Sequence, residues 1–478
     1  MLLKNKYITK FLILQLFLLF VICLLYNNLN VLSVFTKKIL EFFFLFIVIE
    51  SVYVNSLIYR TWKNFDNLFI GMFVFFLGSR VILNLFSNEF EIEYFEFFIN
   101  RYVSISVLNR AIFNLIISLI CYNIGSMIYK INSRHRYYND AISYFPSNVI
   151  SDKYLYTIIA VGFLAKFYFS YQILLEIISK GYLSLFIGEI SINRNLILMF
   201  LEAFYEIGIF LLISQNKKLN KLSYFIIFSY PILSLSTGQR GLALLSFIFI
   251  LFYMYKLGRI KIKLIWSLLN VVFLVLLSVF IGYARDSNEF VIQDIGQTFF
   301  DFFYGQGISL SVIVATIDYN NYIDYSFLDL FGHIRYLIEY YWGKLIFNPI
   351  KDVDLTLQAE EYKWYGQYIS SILNQDMYYM GLGLGSSYIA QFYAIGKEFA
   401  QILGGIFVGY ISSYLYSLLH SKKIFNRFFS FHVLILFIFI PRANLFDPIT
   451  FQWSVIIVSI ILFYCFKSSF KMSNIHHV

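Results

Sequence analysis

The stretch FLILQLFLLFVICLLY, residues 11–26, decides the fold class of this chain. Lys4, Lys6 and Lys10 precede it, as in a signal peptide, but the segment YNNLN that follows offers no small-residue cleavage site. We therefore interpret the stretch as an uncleaved first membrane span. Apolar runs of this kind recur along the 478 residues, of which 59% are hydrophobic and 14% charged. Because such runs can satisfy their backbone polar groups only as helices, the sequence predicts an all-α polytopic membrane protein.

The apolar runs, and the charges between them, predict about 12 transmembrane helices, each long enough for a bilayer of about 30 Å. Nine spans fall in residues 1–283, a large outer loop occupies residues 284–398, and three spans fall in residues 399–478. The twelve predicted spans are residues 10–27, 39–58, 66–86, 103–129, 154–178, 196–214, 222–237, 241–256, 264–283, 399–419, 428–441 and 449–466.

The distribution of charge orients these spans. With a cytoplasmic amino terminus, the inward-facing segments collect 21 of the 37 basic residues, so we expect both termini in the cytoplasm. The predicted outer loop holds 14 of the 28 carboxylates but only six Lys or Arg. Its stretches FFDFFYGQGISLSVIVATI and IRYLIEYYWGKLIF have amphipathic patterns at helical spacing, which predicts interfacial helices against the outer leaflet.

The net charge of +9 does not indicate a nucleic-acid partner, because the basic residues lie in short clusters between spans. The three cysteines, Cys23, Cys121 and Cys465, each lie inside an apolar run. This spacing indicates neither a disulfide framework nor a metal site. We expect no cofactor.

An arginine interrupts the stretch LSLSTGQRGLALLSF, residues 233–247. In the predicted topology Arg240 lies at the outer membrane face. Arg is the residue suited to bidentate binding of phosphate, and a guanidinium at the membrane edge normally marks a pathway or a ligand site. Further arginines lie at outer turns or in the outer halves of spans, namely Arg194, Arg285, Arg442, Arg80 and Arg110.

Two interpretations of these arginines stay open. Each one taken singly could extend to lipid headgroups or pair with a loop carboxylate. Taken jointly, Arg240, Arg285 and Arg442 predict a shared site for an anionic ligand.

A glycine-rich segment, MGLGLGSSYIAQFYAIGKEFAQILGG, is a second feature of the outer side. Gly383 and Gly385 allow close backbone approach, and Ser386 could begin a helix whose free N–H groups meet phosphate oxygens. A simple turn before a helix is the alternative.

His333, in FGHIRYLIEYYWGK, is the one histidine of six that the topology places outside. It is a candidate general base for a sugar hydroxyl, and Arg335 could help to hold an anionic group. An ordinary amphipathic helix is the alternative for this stretch. Carboxylates of the same loop rival His333 as the base, namely Asp286, Asp294, Asp301 and Glu339.

Asp352 and Asp354 match the Asp-x-Asp pattern of metal-dependent sugar-nucleotide enzymes. Sugar nucleotides are cytoplasmic and this loop is predicted outside, so we interpret the match as coincidence. The sequence therefore favours neutralisation of a pyrophosphate by Arg, without a metal.

The segments STGQRGLALL, GYARDS, GLGSSYIAQFYAIGKEFA and PRANLF, in this order around one large outer loop, resemble the Wzy-type O-antigen polymerases. The resemblance covers residues 233–445. In that family a Gly-x-Arg-Gly turn precedes a span, an Arg ends the span before a large periplasmic loop, and a Gly-rich segment with Ser follows the loop. Where members often carry an acidic residue after this segment, the chain has Gln391.

The resemblance implies a metal-independent glycosyltransferase of the bacterial inner membrane, with the large loop in the periplasm. It would transfer a growing glycan from undecaprenyl diphosphate to a second undecaprenyl-diphosphate-linked repeat unit. Arg240 and Arg285 would hold the leaving diphosphate, with His333 as catalytic base candidate. The resemblance also points to a chain-length regulator protein as partner. The predicted substrate-binding residues are Arg194, Arg335, Arg442, Gly383, Gly385 and Ser386.

Two other functions remain as alternatives. A flippase of the same lipid-linked oligosaccharide would also need many spans, but it would have no evident use for the long outer loop. An O-antigen ligase is nearer in chemistry, although the Gly-Gln-Arg-Gly and Gly-Leu-Gly-Ser-Ser segments resemble polymerases more closely.

Overall fold

The computed structural model describes residues 2–25, 34–86, 103–133, 142, 151–180, 196–215, 218–236, 240–261, 295–346 and 355–473. The regular structure within these ranges is helical, which confirms the predicted fold class. The longer helices are α1 (Leu2–Leu25), α2 (Val34–Tyr59), α3 (Phe65–Phe86), α4 (Ile105–Asn132), α5 (Asp152–Lys180), α6 (Leu196–Ser214), α7 (Lys221–Ser236), α8 (Arg240–Lys256), α9 (Ile295–Gln306), α10 (Ser309–Asp318), α11 (Gly332–Ile346), α12 (Tyr365–Leu373), α13 (Tyr388–Leu418), α14 (Ile424–Phe437) and α15 (Trp453–Ser473).

Seven of these helices, α1 to α6 and α13, are long and apolar enough to cross a membrane. The pair α9 and α10, bent by 42° at a short break, passes the same test when taken together, which gives up to eight among the described residues. Parts of α7, α8, α14 and α15 are shorter apolar helices at four further predicted spans. The predicted span at residues 264–283 lies outside the described residues. The chain is thus a polytopic helical membrane protein, and the count of twelve stays a prediction.

The described chain divides into two compact units. The first unit comprises residues 1–139, 279–414 and 437–447, and the second comprises residues 140–278, 415–436 and 448–478. The described part of the predicted outer loop therefore packs with the first helices of the chain.

Helix α4 lies at the centre of the first unit and is buried along nearly its whole length. A Cβ at Gly409 of α13 would clash with the Tyr122 backbone, so the two helices approach to backbone contact, as small residues permit in membranes. At one end of α4, Lys130 Nζ lies 2.6 Å from Asp66 Oδ2 of α3 in a buried ion pair. This pairing offsets the cost of burying either charge alone.

Helix α10 differs from the prediction. Residues 299–317 were expected as an interfacial helix, but every residue from Ser309 to Ile317 is buried. The physical reason is that the sequence between Asp301 and Asp318 contains no charged residue, and a helix that is apolar on all sides packs inside a protein. The break between α9 and α10 therefore lies next to the packed interior of the first unit.

Helix α13 is interrupted at Gly396 and Lys397, whose backbone angles are not helical. Lys397 has φ of 52°, in the left-handed region. Directly after the break, Glu398 accepts a 2.6 Å bond from Arg110 Nε of α4. The predicted span at residues 399–419 corresponds to the longer part of α13, beyond this break.

In the second unit, α5 and α6 pack against one another, and α6 also contacts α7 and α15. A buried ion pair joins Lys166 Nζ and Glu202 Oε2 at 3.5 Å. The hydroxyl of Tyr205 donates to the carbonyl of Ile226 at 2.9 Å, which ties α6 to α7.

Candidate functional site

Residues 440–447 form a tight turn that we call the Pro441 turn. Proline has no N–H to donate, so it sits at the start of the short 3₁₀ turn Ile440–Arg442. Asp447 closes the turn, because its Oδ2 accepts from Asn444 N at 2.9 Å and from Asn444 Nδ2 at 3.1 Å. The turn therefore holds Asp447 in a fixed orientation.

His333, near the start of α11, contacts this turn directly. Its Nδ1 lies 2.8 Å from Asp447 Oδ1, and both side chains are buried. The indole of Trp364 stacks on the imidazole with 3.8 Å between ring centroids and 19° between ring planes. A carboxylate at Nδ1 favours the tautomer with a proton on Nδ1 and fixes the orientation of the ring.

Ser386 joins the same turn from the glycine-rich segment. Its Oγ donates to Asn444 Oδ1 at 2.7 Å, and both groups are buried. The preceding Gly385 has φ of +84°, a conformation that residues with a Cβ rarely adopt. Three separate sequence features, around residues 333, 386 and 442, therefore meet at the Pro441 turn.

Gln391 supports the turn from α13. Its Oε1 accepts from Leu445 N at 2.8 Å, while its Nε2 donates to the Tyr325 hydroxyl at 3.1 Å. Burial raises the pKa of Tyr325 well above its usual value, so the hydroxyl keeps its proton and donates to the carbonyl of Asp329 at 3.0 Å. The amide of Gln391 thus links the Pro441 turn to Tyr325.

Arg442 lies in the Pro441 turn, five residues before Asp447. Its Nη1 donates to Gln306 Oε1 at 3.1 Å, and its Cζ lies 5.7 Å from the ring centroid of Phe76. The side chain is half-buried, so it combines partial desolvation with access. A guanidinium so placed is suited to binding a phosphate group.

Arg335 and Gly383 belong to the same unit but make different contacts. The Arg335 guanidinium lies 5.6 Å from the ring centroid of Tyr362, and the residue is exposed. A Cβ at Gly383 would lie 3.4 Å from Ser370 Oγ, which also accepts from Leu384 N at 3.0 Å. Neither residue is directly linked to His333 by these contacts.

The rival carboxylates of the predicted loop have other partners. Glu339 accepts a hydrogen bond from the Tyr362 hydroxyl; burial, together with this carboxylate, raises the pKa of Tyr362 above its usual value. Asp301 is exposed and accepts from Gln297 Nε2 at 2.8 Å. Asp286 and Asp294 lie outside the described residues.

Arg240, Arg194 and Arg285 complete the set of predicted site residues. Arg240 is the first residue of α8 in the second unit, and its side chain lies outside the description. Arg194 and Arg285 lie outside the described residues, as do Asp352 and Asp354. The shared site of Arg240, Arg285 and Arg442 stays a prediction.

Asp447, Asn444 and Trp364 were not predicted from the sequence. Asp447 had a local signal, because it follows Arg442 closely and precedes Pro448 in PRANLFDP. Trp364 had no such signal, since its place on His333 arises from tertiary packing alone.

The arrangement combines two chemical capabilities. An imidazole with a carboxylate at Nδ1 can take up a proton at Nε2, and a half-buried guanidinium on the same turn can bind an anion. The imidazole of His333 and the guanidinium of Arg442 both belong to the first unit. His333 bonds the Pro441 turn through Asp447, and Arg442 is part of that turn.

Comparison with protein families gives a match over nearly the whole chain. The model of the family described as O-antigen polysaccharide polymerase Wzy matches residues 7–474, nearly the whole chain. Neither a curated protein nor a solved structure matches it. The chain therefore belongs to the O-antigen polysaccharide polymerase Wzy family, membrane glycosyltransferases that polymerise oligosaccharide repeat units.

Proposed function

We propose that the protein joins lipid-linked repeat units at the periplasmic face of the membrane. The growing glycan moves from undecaprenyl diphosphate to a sugar hydroxyl of another undecaprenyl-diphosphate-linked repeat unit. One observation carries the site assignment: His333, paired with Asp447, and Arg442 meet at a single turn.

In this proposal His333 is the general base. The acceptor hydroxyl oxygen attacks the anomeric carbon of the donor glycan, and its proton passes to His333 Nε2. Asp447 stabilises the imidazolium that forms, as a buried carboxylate does in other imidazole bases. The bond between the anomeric carbon and the diphosphate oxygen breaks, and His333 then returns its proton to the medium or to the leaving diphosphate.

Negative charge develops on the leaving diphosphate as its bond to the anomeric carbon breaks. Positively charged side chains that bind this diphosphate therefore stabilise the transition state. Arg442 supplies one guanidinium, supported by its half-buried position beside Gln306. Arg240 and Arg285 are proposed as the further catalytic arginines, and Arg194 and Arg335 as substrate-binding residues. Arginine side chains suit this role because they stay charged when partly desolvated.

The glycine-rich segment and the aromatic residues complete the proposed site. Gly383, Gly385 and Ser386 shape the approach to the Pro441 turn, supported by the bond from Ser386 to Asn444. The Trp364 indole, which stacks on the imidazole of His333, is an aromatic surface of the kind on which sugar rings stack.

The proposed setting is the bacterial inner membrane, with both termini in the cytoplasm and the loop at residues 284–398 in the periplasm. The excess of carboxylates over basic residues in this loop supports that orientation. A chain-length regulator protein is the proposed partner.

Deletion of the gene, followed by gel analysis of surface polysaccharide, tests this function. We expect core that bears a single repeat unit, because ligation and export of one unit continue without polymerisation. Core with no repeat unit would instead indicate a ligase or a flippase.

A further inference from the structure

Arg80 is a buried arginine in α3 that has no role in the mechanism proposed above. Its Nε donates to the carbonyl of Tyr304 at 2.9 Å, and its Cζ lies 4.2 Å from the centroid of the Tyr304 ring. Tyr304 lies in the last turn of α9, where carbonyl groups carry partial negative charge, and its carbonyl also accepts from Gly307 N at 3.2 Å. Arg80 therefore fixes the carbonyl end of α9 both by a hydrogen bond and by stacking.

The contact between α3 and the end of α9 is close enough to constrain the backbone. A Cβ at Gly307 would lie 2.5 Å from Ser79 Oγ and 2.6 Å from Arg80 Cγ, so only glycine fits there without movement. The break between α9 and α10 thus rests directly on Ser79 and Arg80.

Gln306 lies two residues after Tyr304 and is the acceptor for Arg442 Nη1 at 3.1 Å. On its other side, Arg442 contacts the ring of Phe76, which lies about one turn before Arg80 on α3. The contacts of the Arg442 guanidinium with Gln306 and with Phe76 therefore depend on how α3 packs against the end of α9. Arg80 stabilises this contact between α3 and α9 through Tyr304.

We propose that Arg80 is a positioning residue, which orients Arg442 for the diphosphate of the lipid carrier through Tyr304 and Gln306. The inference rests on the proposed function, since it assumes that Arg442 binds the diphosphate. Lysine could keep the positive charge, but it lacks the planar group that bonds the Tyr304 carbonyl while stacking on the ring. The side chain of Arg80 touches α9 and acts on the ligand through Arg442.

The test is a double-mutant cycle on the full-length protein in lipid nanodiscs, with undecaprenyl diphosphate as the probe and Kd as the readout. Arg442→Ala should weaken binding about tenfold or more, the loss of one charge-assisted contact. Arg80→Lys should weaken binding about threefold to tenfold. The double variant should bind no more weakly than Arg442→Ala alone, because residues that act along one path are not additive.

A second variant keeps the test decisive if Arg80→Lys destabilises the protein. Gln306→Leu removes the acceptor for Arg442 and leaves α3 intact, so it should reproduce the loss in Kd and the lack of additivity. Arg110→Lys is the matched control, since Arg110 is also an arginine within a span but pairs with Glu398. It should leave Kd within about twofold of the wild type.

Two results separate the inference from the function on which it rests. If Arg442→Ala binds the probe as the wild type does, the diphosphate assignment fails. A different result is that Arg442→Ala weakens binding while Arg80→Lys leaves Kd unchanged, or that the double variant shows the product of the two single losses in affinity. In either case Arg80 does not act through Arg442 and the inference is overturned.

Discussion

His333 Nδ1 lies 2.8 Å from Asp447 Oδ1, although the two residues are 114 positions apart in the chain. The carboxylate is itself fixed by Asn444, whose backbone N–H and side-chain amide both donate to it. The pair has the geometry in which a carboxylate orients an imidazole and stabilises its protonated form.

Asp447→Asn should lower the rate of polymerisation about a hundredfold to ten-thousandfold, with a smaller change in KM. An amide at this position no longer stabilises the imidazolium and can force the wrong tautomer. Initial rates on lipid-linked repeat units measure the effect, alongside thermal unfolding to confirm that the protein is folded. Asp301→Asn is the control, because Asp301 is exposed and contacts Gln297. A near-normal rate for Asp447→Asn would remove the basis for His333 as the base.

Gly385→Ala should destabilise the protein by about 1 to 2 kcal/mol, because Gly385 has φ of +84° and alanine resists that region. The strain falls next to Ser386, so activity should decline too. Gly383→Ala is the matched control, since its Cβ would meet Ser370 Oγ at an ordinary 3.4 Å. Melting temperatures of the two purified variants make the comparison, and equal values would show that the left-handed turn contributes nothing.

The fold class could be predicted from the sequence. Apolar runs of membrane length determine helices, because lipid offers the backbone no partners. Residue type and local pattern singled out His333, Ser386 and Arg442, and the structure places all three at the Pro441 turn, while their roles stay predictions.

What the sequence did not reveal depends on contacts between distant residues. No local pattern pairs Asp447 with His333 or lays Trp364 on the imidazole. Of the interfacial helix expected at residues 299–317, the part at residues 309–317 was wrong for a different reason. The helical spacing suggested an amphipathic face, but these residues carry no charge, which favours full burial. Gln391 stands where the Wzy-type polymerases often carry an acidic residue, and only the fold shows that its side chain accepts a hydrogen bond from Leu445 N.

Arg240→Ala and Arg285→Ala should each abolish the polysaccharide ladder while protein abundance stays normal. Loss of one preorganised donor to a developing anion costs about 3 to 4 kcal/mol, a decrease in rate of a hundredfold or more. Gel analysis of surface polysaccharide, with immunoblots for abundance, gives the readout. Lys218→Ala, in a cytoplasmic cluster of the predicted topology, should have little effect. Normal ladders from both arginine variants would refute their assignment to the site.

The second unit should lose stability as pH falls from about 6.5 to about 4, because of His420. Burial lowers the pKa of His420 to about 4, and the positive charges of Lys256 and Arg427 act in the same direction, against a hydrogen bond with the Tyr416 carbonyl. Between these pH values the unfolded chain binds a proton that the folded chain does not, so the stability is present above pH 6.5 and lost below it. This difference in pKa corresponds to at most about 3 kcal/mol of the free energy of unfolding.

Thermal unfolding in nanodiscs from pH 7.5 to 4.5 measures this loss of stability. His420→Gln should flatten the pH dependence, whereas Lys422→Gln, an exposed neighbour on the same turn, should keep the wild-type slope. An unchanged slope in His420→Gln would assign the acid sensitivity to other groups.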